Sequence, residues 1–314
     1  MRRLALQRLM MLLMTIFIVS VLAFLVPYIT EGDPVRAIIR SRVAELAIDQ
    51  ETVDRLRISL GLDRPLVVQY MGWLKNAVEG DFGYSYMSRQ PVAGLIGRAF
   101  LISLTLASSA LIFAFLVSIP LGTIAALREG KLADNIVIFV TQCFVAAPEY
   151  WLAPVGILIF ALYLGWLPSA GWRDMSSMIL PSLVLSLRPM AYFTRVMRAA
   201  MIDVLRAPYL VAARSRGLSV VQAIARHGLR NSISPVITVF AMWMASLLGG
   251  SLIVEVIFSI PGTGRLMYDA VVGRDIPLMQ GSFVCLVGLA VIITTVTDVV
   301  YVLLNPTVRL AHGR

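Results

Sequence analysis

YLVAARSRGLSVVQAIARHGLRNS, residues 209–232, runs into a long apolar segment whose end reads GGSLIVEVIFSIPGTGRL, residues 249–266. A basic loop rich in small residues, caught between hydrophobic runs, has the makings of a docking surface for a cytoplasmic partner. Ala212 and Ala213 present little bulk to a groove, and Gly217 permits a sharp turn. Arg206, Arg214 and Arg216 can then reach acidic or backbone acceptors on the partner. The plainer reading is a basic loop held near anionic lipid headgroups.

Composition sets the environment of this loop. The 314 residues are 59% hydrophobic and only 14% charged, with a mean hydropathy of +0.83, far from an ordinary soluble domain. The chain therefore reads as an integral membrane protein. Long uncharged runs must satisfy their backbone internally, which predicts helices; the short alternating segments of a β-barrel are not seen. The net charge of +9 sits in short basic runs beside apolar spans, the pattern that encodes topology rather than nucleic-acid binding. Cys143 and Cys285 fall within apolar segments without metal-ligand spacing and read as small buried hydrophobes, with no disulfide expected. The charge-free run at residues 9–30 is longer than a signal-peptide core and lacks a small-x-small cleavage site, so it reads as a retained anchor.

Six spans can be drawn, at residues 9–28, 99–127, 135–162, 179–201, 235–258 and 281–304. Even parity places both termini on one side. The segments on that side carry Arg2, Arg3, Arg8, Arg128, Lys131, Arg214, Arg216, Arg226 and Arg230, among others, against the acidic Glu129, Asp134 and Asp203, which makes them cytoplasmic. The division that follows is a peripheral first helix (1–30), an extracytoplasmic cap (31–98), a core of five spans (99–304) carrying a cytoplasmic loop (202–234), and a cytoplasmic tail (305–314).

Within the cap, residues 48–60 have helical spacing, LVVQYMGWLKNAV after Pro65 reads as a second amphipathic helix, and Gly80-Asp81-Phe82-Gly83 as a turn. Pro91 precedes a helix that enters the next span. Pro120, Pro148, Pro154 and Pro189 lie inside spans, where a lost backbone donor is tolerated only if neighbours or a wet path satisfy the freed carbonyl. Kinked helices around a pathway are expected.

Catalytic chemistry finds no foothold. Both histidines, His227 and His312, lie outside the spans, and no HExxH, Ser–His arrangement or GxxxxGK[ST] loop occurs. The chain reads as a non-enzyme that binds no cofactor. Each charge within a span costs a few kcal/mol unless paired or hydrated, which singles out Glu149, Arg188, Glu255 and Asp298. Glu149 follows Pro148, where a kink and a charge suggest a polar path; alternatively it is buried against a neighbouring helix. Arg188 could meet a substrate carboxylate bidentately, or neutralise Glu149 or Asp298. Glu255 and Asp298, near the ends of their spans, could reach the interface.

Val211-Ala212-Ala213, Arg214-Ser215-Arg216 and Gly217, followed by RHGLRNSISPVIT at residues 226–238, resemble the Glu-Ala-Ala-x-x-x-Gly signature of permease subunits of ATP-binding-cassette importers of the dipeptide, oligopeptide and nickel group. GDP (32–34), LGLDRPLVVQY (60–70), GDFGYS (80–85), LGWLPSAGW (164–172), ILPSL (179–183) and GGSLIVEVIFSIPGTGRL (249–266) look like landmarks of the same group in the same order. Val211 departs from the signature's Glu, and of its later Ile-x-Leu-Pro only Leu229 matches.

The resemblance implies a type I importer permease: all-α, six transmembrane helices and a small extracytoplasmic cap, in the bacterial inner membrane with both termini cytoplasmic. It implies a second homologous permease, two cytoplasmic ATPases that carry ATP-Mg, and an extracytoplasmic solute-binding protein. Tyr209, Ala212, Ala213, Arg214, Arg216 and Gly217 would couple to the ATPase. Glu149, Arg188, Gly249, Gly250, Ser251 and Glu255 would line the pathway along the third to sixth spans, with the cap and residues 261–274 facing the binding protein. Peptides are the expected cargo, with glutathione or a nickel chelate as the near alternative. The rival class is a stand-alone channel or ion-coupled carrier using Glu149, Arg188 and Asp298.

Overall fold

A computed structural model of the chain describes residues 2–29, 50–59 and 63–304. GDP (32–34), the start of LGLDRPLVVQY, His312 and the tail at 305–314 lie outside the described residues. Every element of regular structure among those described is helical. The chain divides into two compact units, Met1–Ile102 with Pro261–Ile292, and Ser103–Ile260 with Ile293–Arg314.

The first unit holds α1 (Arg2–Ile29), α2 (Gln50–Ser59), α3 (Leu66–Val78), the start of α4 (Val92–Leu127), α11 (Thr263–Val272) and the first part of α12 (Ile276–Leu304). The helix expected in LVVQYMGWLKNAV is α3, entered from Pro65 in an extended conformation, and α2 falls within the other expected stretch. Aromatic and polar contacts hold α1 to α3: the Phe24 and Tyr70 rings meet edge-on at 5.5 Å, and the Ser20 and Tyr70 hydroxyls share a hydrogen bond of 2.8 Å. Gly80 and Gly83 adopt φ of +83° and +77°, the left-handed backbone that makes GDFG a turn. Beyond it, Val92, Ile96, Ala270 and Leu278 form a buried core, backed by Phe82, Leu95 and Leu266.

One carboxylate organises this unit. Asp275 is fully buried, accepts from the Ser85 hydroxyl at 2.5 Å and the Met87 amide at 3.2 Å, and caps α12 through the Leu278 amide at 3.3 Å. A charge this deep is tolerable because hydrogen bonds replace its water. It thereby pins the 80–91 segment to the start of α12.

The second unit contains the rest of α4, α5 (Leu132–Ala146), α6 (Glu149–Gly156, continued by a π-helical stretch Ile157–Tyr163), α7 (Met175–Arg206), α8 (Pro208–Ser215), α9 (Val220–Gly250, with a π-helical turn Ile224–Gly228), α10 (Leu252–Ile257) and the end of α12. Among the described residues, α4, α9 and Ile276–Val296 of α12 are long and apolar enough to cross a membrane; Leu132–Ala146 and Glu149–Tyr163 make a fourth span if taken together across a 102° bend. The break follows from Ala147 standing before Pro148, which drives it to an extended ψ of 124°. The kink expected at Pro148 is a 102° bend between two helices.

α7 is long enough to span but falls outside that apolar set, for a reason visible in its packing. Leu180, Leu185, Ala191, Phe193, Met197 and Met201 are all buried, and α4, α5, α6 and α9 all pack against α7. A helix covered by its neighbours can carry serines, and Ser177, Ser182 and Ser186 are buried there. Its start is fixed by a capping box: the Asp174 carboxylate accepts from the Ser177 amide at 3.1 Å, while the Ser177 hydroxyl accepts from the Asp174 amide at 3.3 Å. Those bonds, led by one from the Ser176 hydroxyl, hold the exposed Asp174 carboxyl below the usual carboxylate range.

Lipid removes the hydrophobic drive for helices to associate, so close packing at small residues does that work. On α4, Ala107, Ala110 and Ala114 are buried, the Ser109 hydroxyl meets that of Ser182 on α7 at 2.7 Å, and Gly122 lies directly against α7. A Cβ on Gly122 would lie 2.7 Å from the Met197 Cβ and 2.8 Å from the Thr194 carbonyl oxygen. Gly122→Ala is expected to destabilise the protein by about 1–3 kcal/mol through overpacking. The check is the thermal midpoint of the detergent-solubilised variant, and an unchanged midpoint would mean that α4 and α7 part there freely.

Cys143 is exposed on α5, not buried as its apolar setting suggested, and Cys285 is half-buried. Residues lying in an apolar run can still face outward, since lipid accepts them as readily as a core does.

Candidate coupling elbow and charged groups of the spans

α7 ends at Arg206 because Ala207 precedes Pro208 and takes an extended ψ of 138°. Pro208 then opens α8, where its missing amide costs nothing. Leu210 and Ala213 are buried and seat this two-turn helix. Tyr209, Val211, Ala212, Arg214 and Arg216 are exposed and form its outer face.

The exit is a tight, fully bonded turn. Gly217 has φ +94°, its amide donates to the Arg214 carbonyl at 2.9 Å, and the Leu218 amide donates to the Ala213 carbonyl at 3.4 Å. This pair of bonds is the Schellman arrangement, which requires a left-handed residue where Gly217 stands. Ser219 at once begins α9 with a capping box: its hydroxyl accepts from the Gln222 amide at 3.3 Å, and its amide donates to Gln222 Oε1 at 3.1 Å. Asn231 Nδ2 donates to the Tyr209 hydroxyl at 3.0 Å, tying the start of α8 to α9. The loop is therefore a preformed helix–turn–helix elbow with a small, basic outer face.

Two ion pairs brace the base of this elbow. Arg198 grips Asp134 through Nε and Nη2, both at 2.6 Å, and the Gly130 amide donates to the same carboxylate at 2.9 Å. The Asp134 side chain is 2% exposed. Arg206, expected to reach toward a partner, instead contacts Glu129 of its own chain at 3.0 Å in an exposed pair. Together they fasten the turn between α4 and α5 to the end of α7. Partners 64 residues apart leave no local signal in a sequence.

Glu149 opens α6 immediately after the bend and is half-buried; Arg188, on α7, is exposed. Gly156 of α6 lies against Leu180 and Val184 of α7, where a Cβ would stand 3.3 Å from the Leu180 Cδ1. Glu255 does not reach an interface. It is fully buried, and one carboxylate oxygen accepts from the Ser103 and Ser251 hydroxyls, each at 2.7 Å. Gly249 and Gly250 are exposed, and a Cβ on either would meet nothing within 4 Å. The Asp298 side chain lies outside the described residues. Among the described residues, no group of three or more His, Cys, Asp or Glu side chains could hold a metal ion.

Residues 118–310 match the family described as binding-protein-dependent transport system inner membrane component, and residues 1–107 match that family's N-terminal membrane component. The chain is 37% identical over 303 residues to the glutathione transport system permease protein GsiC of Escherichia coli (strain K12), covering 96% of this chain and 97% of that protein. The same values hold for GsiC of Shigella dysenteriae serotype 1 (strain Sd197). Among solved structures, the fold is similar to the inward-facing MetNI methionine ABC transporter, with a TM-score of 0.55 at 18% identity over 67% of this chain and 96% of that one. It is also similar to an amino acid ABC transporter solved with histidines, with a TM-score of 0.51 at 15% identity over 66% and 93%. The exposed elbow and bent spans thus sit in a helical fold shared with ABC transporters, and the sequence matches run nearly end to end. The chain belongs to the binding-protein-dependent transport system inner membrane components, the permeases of ABC importers, and is a multi-pass protein of the inner membrane.

Proposed function

We propose that this chain forms half of the translocation pathway of an ATP-driven importer of short peptides, glutathione among them, and converts ATPase motion into helix rearrangement through the elbow at Pro208–Ser215. The observation that carries the cargo is 37% identity across nearly the whole length of glutathione permeases. Glutathione is itself a tripeptide with a γ linkage, so it falls within the peptide class and needs no metal ligands in the pore. In this reading the chain crosses the membrane six times with both termini cytoplasmic. A sister permease completes the pathway, two ATPases hold ATP-Mg, and a binding protein delivers cargo to the outer face. Closure of the ATPases would push the elbow as a rigid body and switch α7 and its neighbours between two packed arrangements.

The test is uptake by the complex of both permeases, the ATPases and the binding protein in liposomes, with labelled glutathione, dipeptides, tetrapeptides and a nickel chelate. ATP-dependent uptake of glutathione and short peptides, with the chelate left outside, is expected. If this chain alone, with no ATPase present, moves the cargo, the stand-alone carrier replaces the importer.

A further inference from the structure

We propose that Glu149 and Arg188 read the two charged ends of the transported peptide, Glu149 the ammonium and Arg188 the carboxylate. The proposal rests on the peptide-cargo reading above and assigns that cargo its recognition site within the pathway.

Helix packing gives the two residues a common reference point. Gly156 touches Leu180 and Val184, which sets the register of α6 against α7. From there Glu149 lies seven residues back along α6, and Arg188 lies four to eight residues forward along α7. At about 1.5 Å per residue these offsets are roughly 10 Å and 6–12 Å from the shared contact.

The two nevertheless do not close on each other. Among the described residues no ion pair or hydrogen bond joins Glu149 to Arg188, only the longer-range attraction. The same unit shows what a structural pair looks like: Arg198 and Asp134 meet through two bonds of 2.6 Å around a carboxylate that is 2% exposed. Arg188 is exposed although Ser186, Pro189 and Met190 around it are buried, and Glu149 is only half covered. These opposite charges, each open to solvent, have no close counter-charge among the described residues. A zwitterionic peptide brings an ammonium and a carboxylate separated by its own backbone. Its carboxylate suits the planar fork of an arginine, and its ammonium suits a carboxylate.

The complete complex in liposomes is supplied with binding protein preloaded with a free tripeptide, its N-acetylated form or its C-amidated form. Where the binding protein refuses a modified peptide, binding to the detergent-purified permease–ATPase complex is measured directly. The wild type should favour the free peptide over both. Arg188→Gln should lower the preference over the C-amidated form at least tenfold and leave the preference over the N-acetylated form within twofold; Glu149→Gln should do the reverse. Arg188→Lys should restore part of the carboxylate preference. If the wild type imports peptides and both Gln variants keep its preferences, or lose all three peptides equally as the complex falls apart, the recognition site is wrong and the importer assignment stands. If the wild type moves no peptide at all, the cargo reading falls and takes this site with it.

Discussion

Asp134→Ala will destabilise the protein by about 3–5 kcal/mol. The reason is what it leaves behind. Arg198 is only 25% exposed and has both of its bonds to Asp134, so the variant strands a guanidinium in a site built for a carboxylate. The Gly130 amide, at φ +72°, loses its acceptor as well. Glu129→Ala next to it breaks the Arg206 contact, but that pair is 70% and 46% exposed and contributes no more than about 1 kcal/mol. The measurement is the thermal midpoint of the purified variants, read alongside Asp134→Leu combined with Arg198→Met. Apolar replacement of both partners should recover much of the loss, because the penalty of an unpaired buried charge goes with the charge. Equal small effects from Asp134→Ala and Glu129→Ala would show that the buried pair does not brace α7.

The residue patterns legible in the chain are local ones. Pro65 marks the start of a helix, GDFG at 80–83 marks a turn, and Gly217 marks a left-handed turn; each depends on residues within a few positions, and each stands where the chain spells it. The apolar runs likewise announced helices, since lipid leaves the backbone no other way to satisfy itself.

What escaped was long-range. Nothing near Asp134 names Arg198, and nothing in α7 shows that it is central, because a helix shielded by other helices is released from the demand to be apolar. Position near a span end leaves Glu255 free to reach an interface, yet the Ser103 and Ser251 hydroxyls let it stay fully buried. Proline was readable as a kink at Pro148, but nothing in the local sequence gives the 102° angle of the bend.

Gly217→Pro should abolish transport while the chain still inserts, since the change sits in the elbow and outside the apolar spans. Three losses coincide at this position. Proline is confined to φ near −65° and the native backbone has φ +94°, so the turn cannot form. The missing amide deletes the bond to the Arg214 carbonyl, and with the turn goes the bond from the Leu218 amide to Ala213. α8 and the capping box at Ser219 then no longer share one rigid frame, so an ATPase pressing on Ala212 and Arg214 would move a loose segment instead of α7. Gly217→Ala is the graded control. A Cβ there meets nothing within 4 Å, so its cost is the left-handed backbone alone, about 1–2 kcal/mol, and the elbow should survive with reduced coupling. The readout is uptake together with ATP hydrolysis stimulated by loaded binding protein, with membrane insertion followed in parallel. Both activities should fall at least tenfold in the proline variant and far less in the alanine variant. Wild-type uptake by an inserted Gly217→Pro chain would remove the elbow from the transport mechanism.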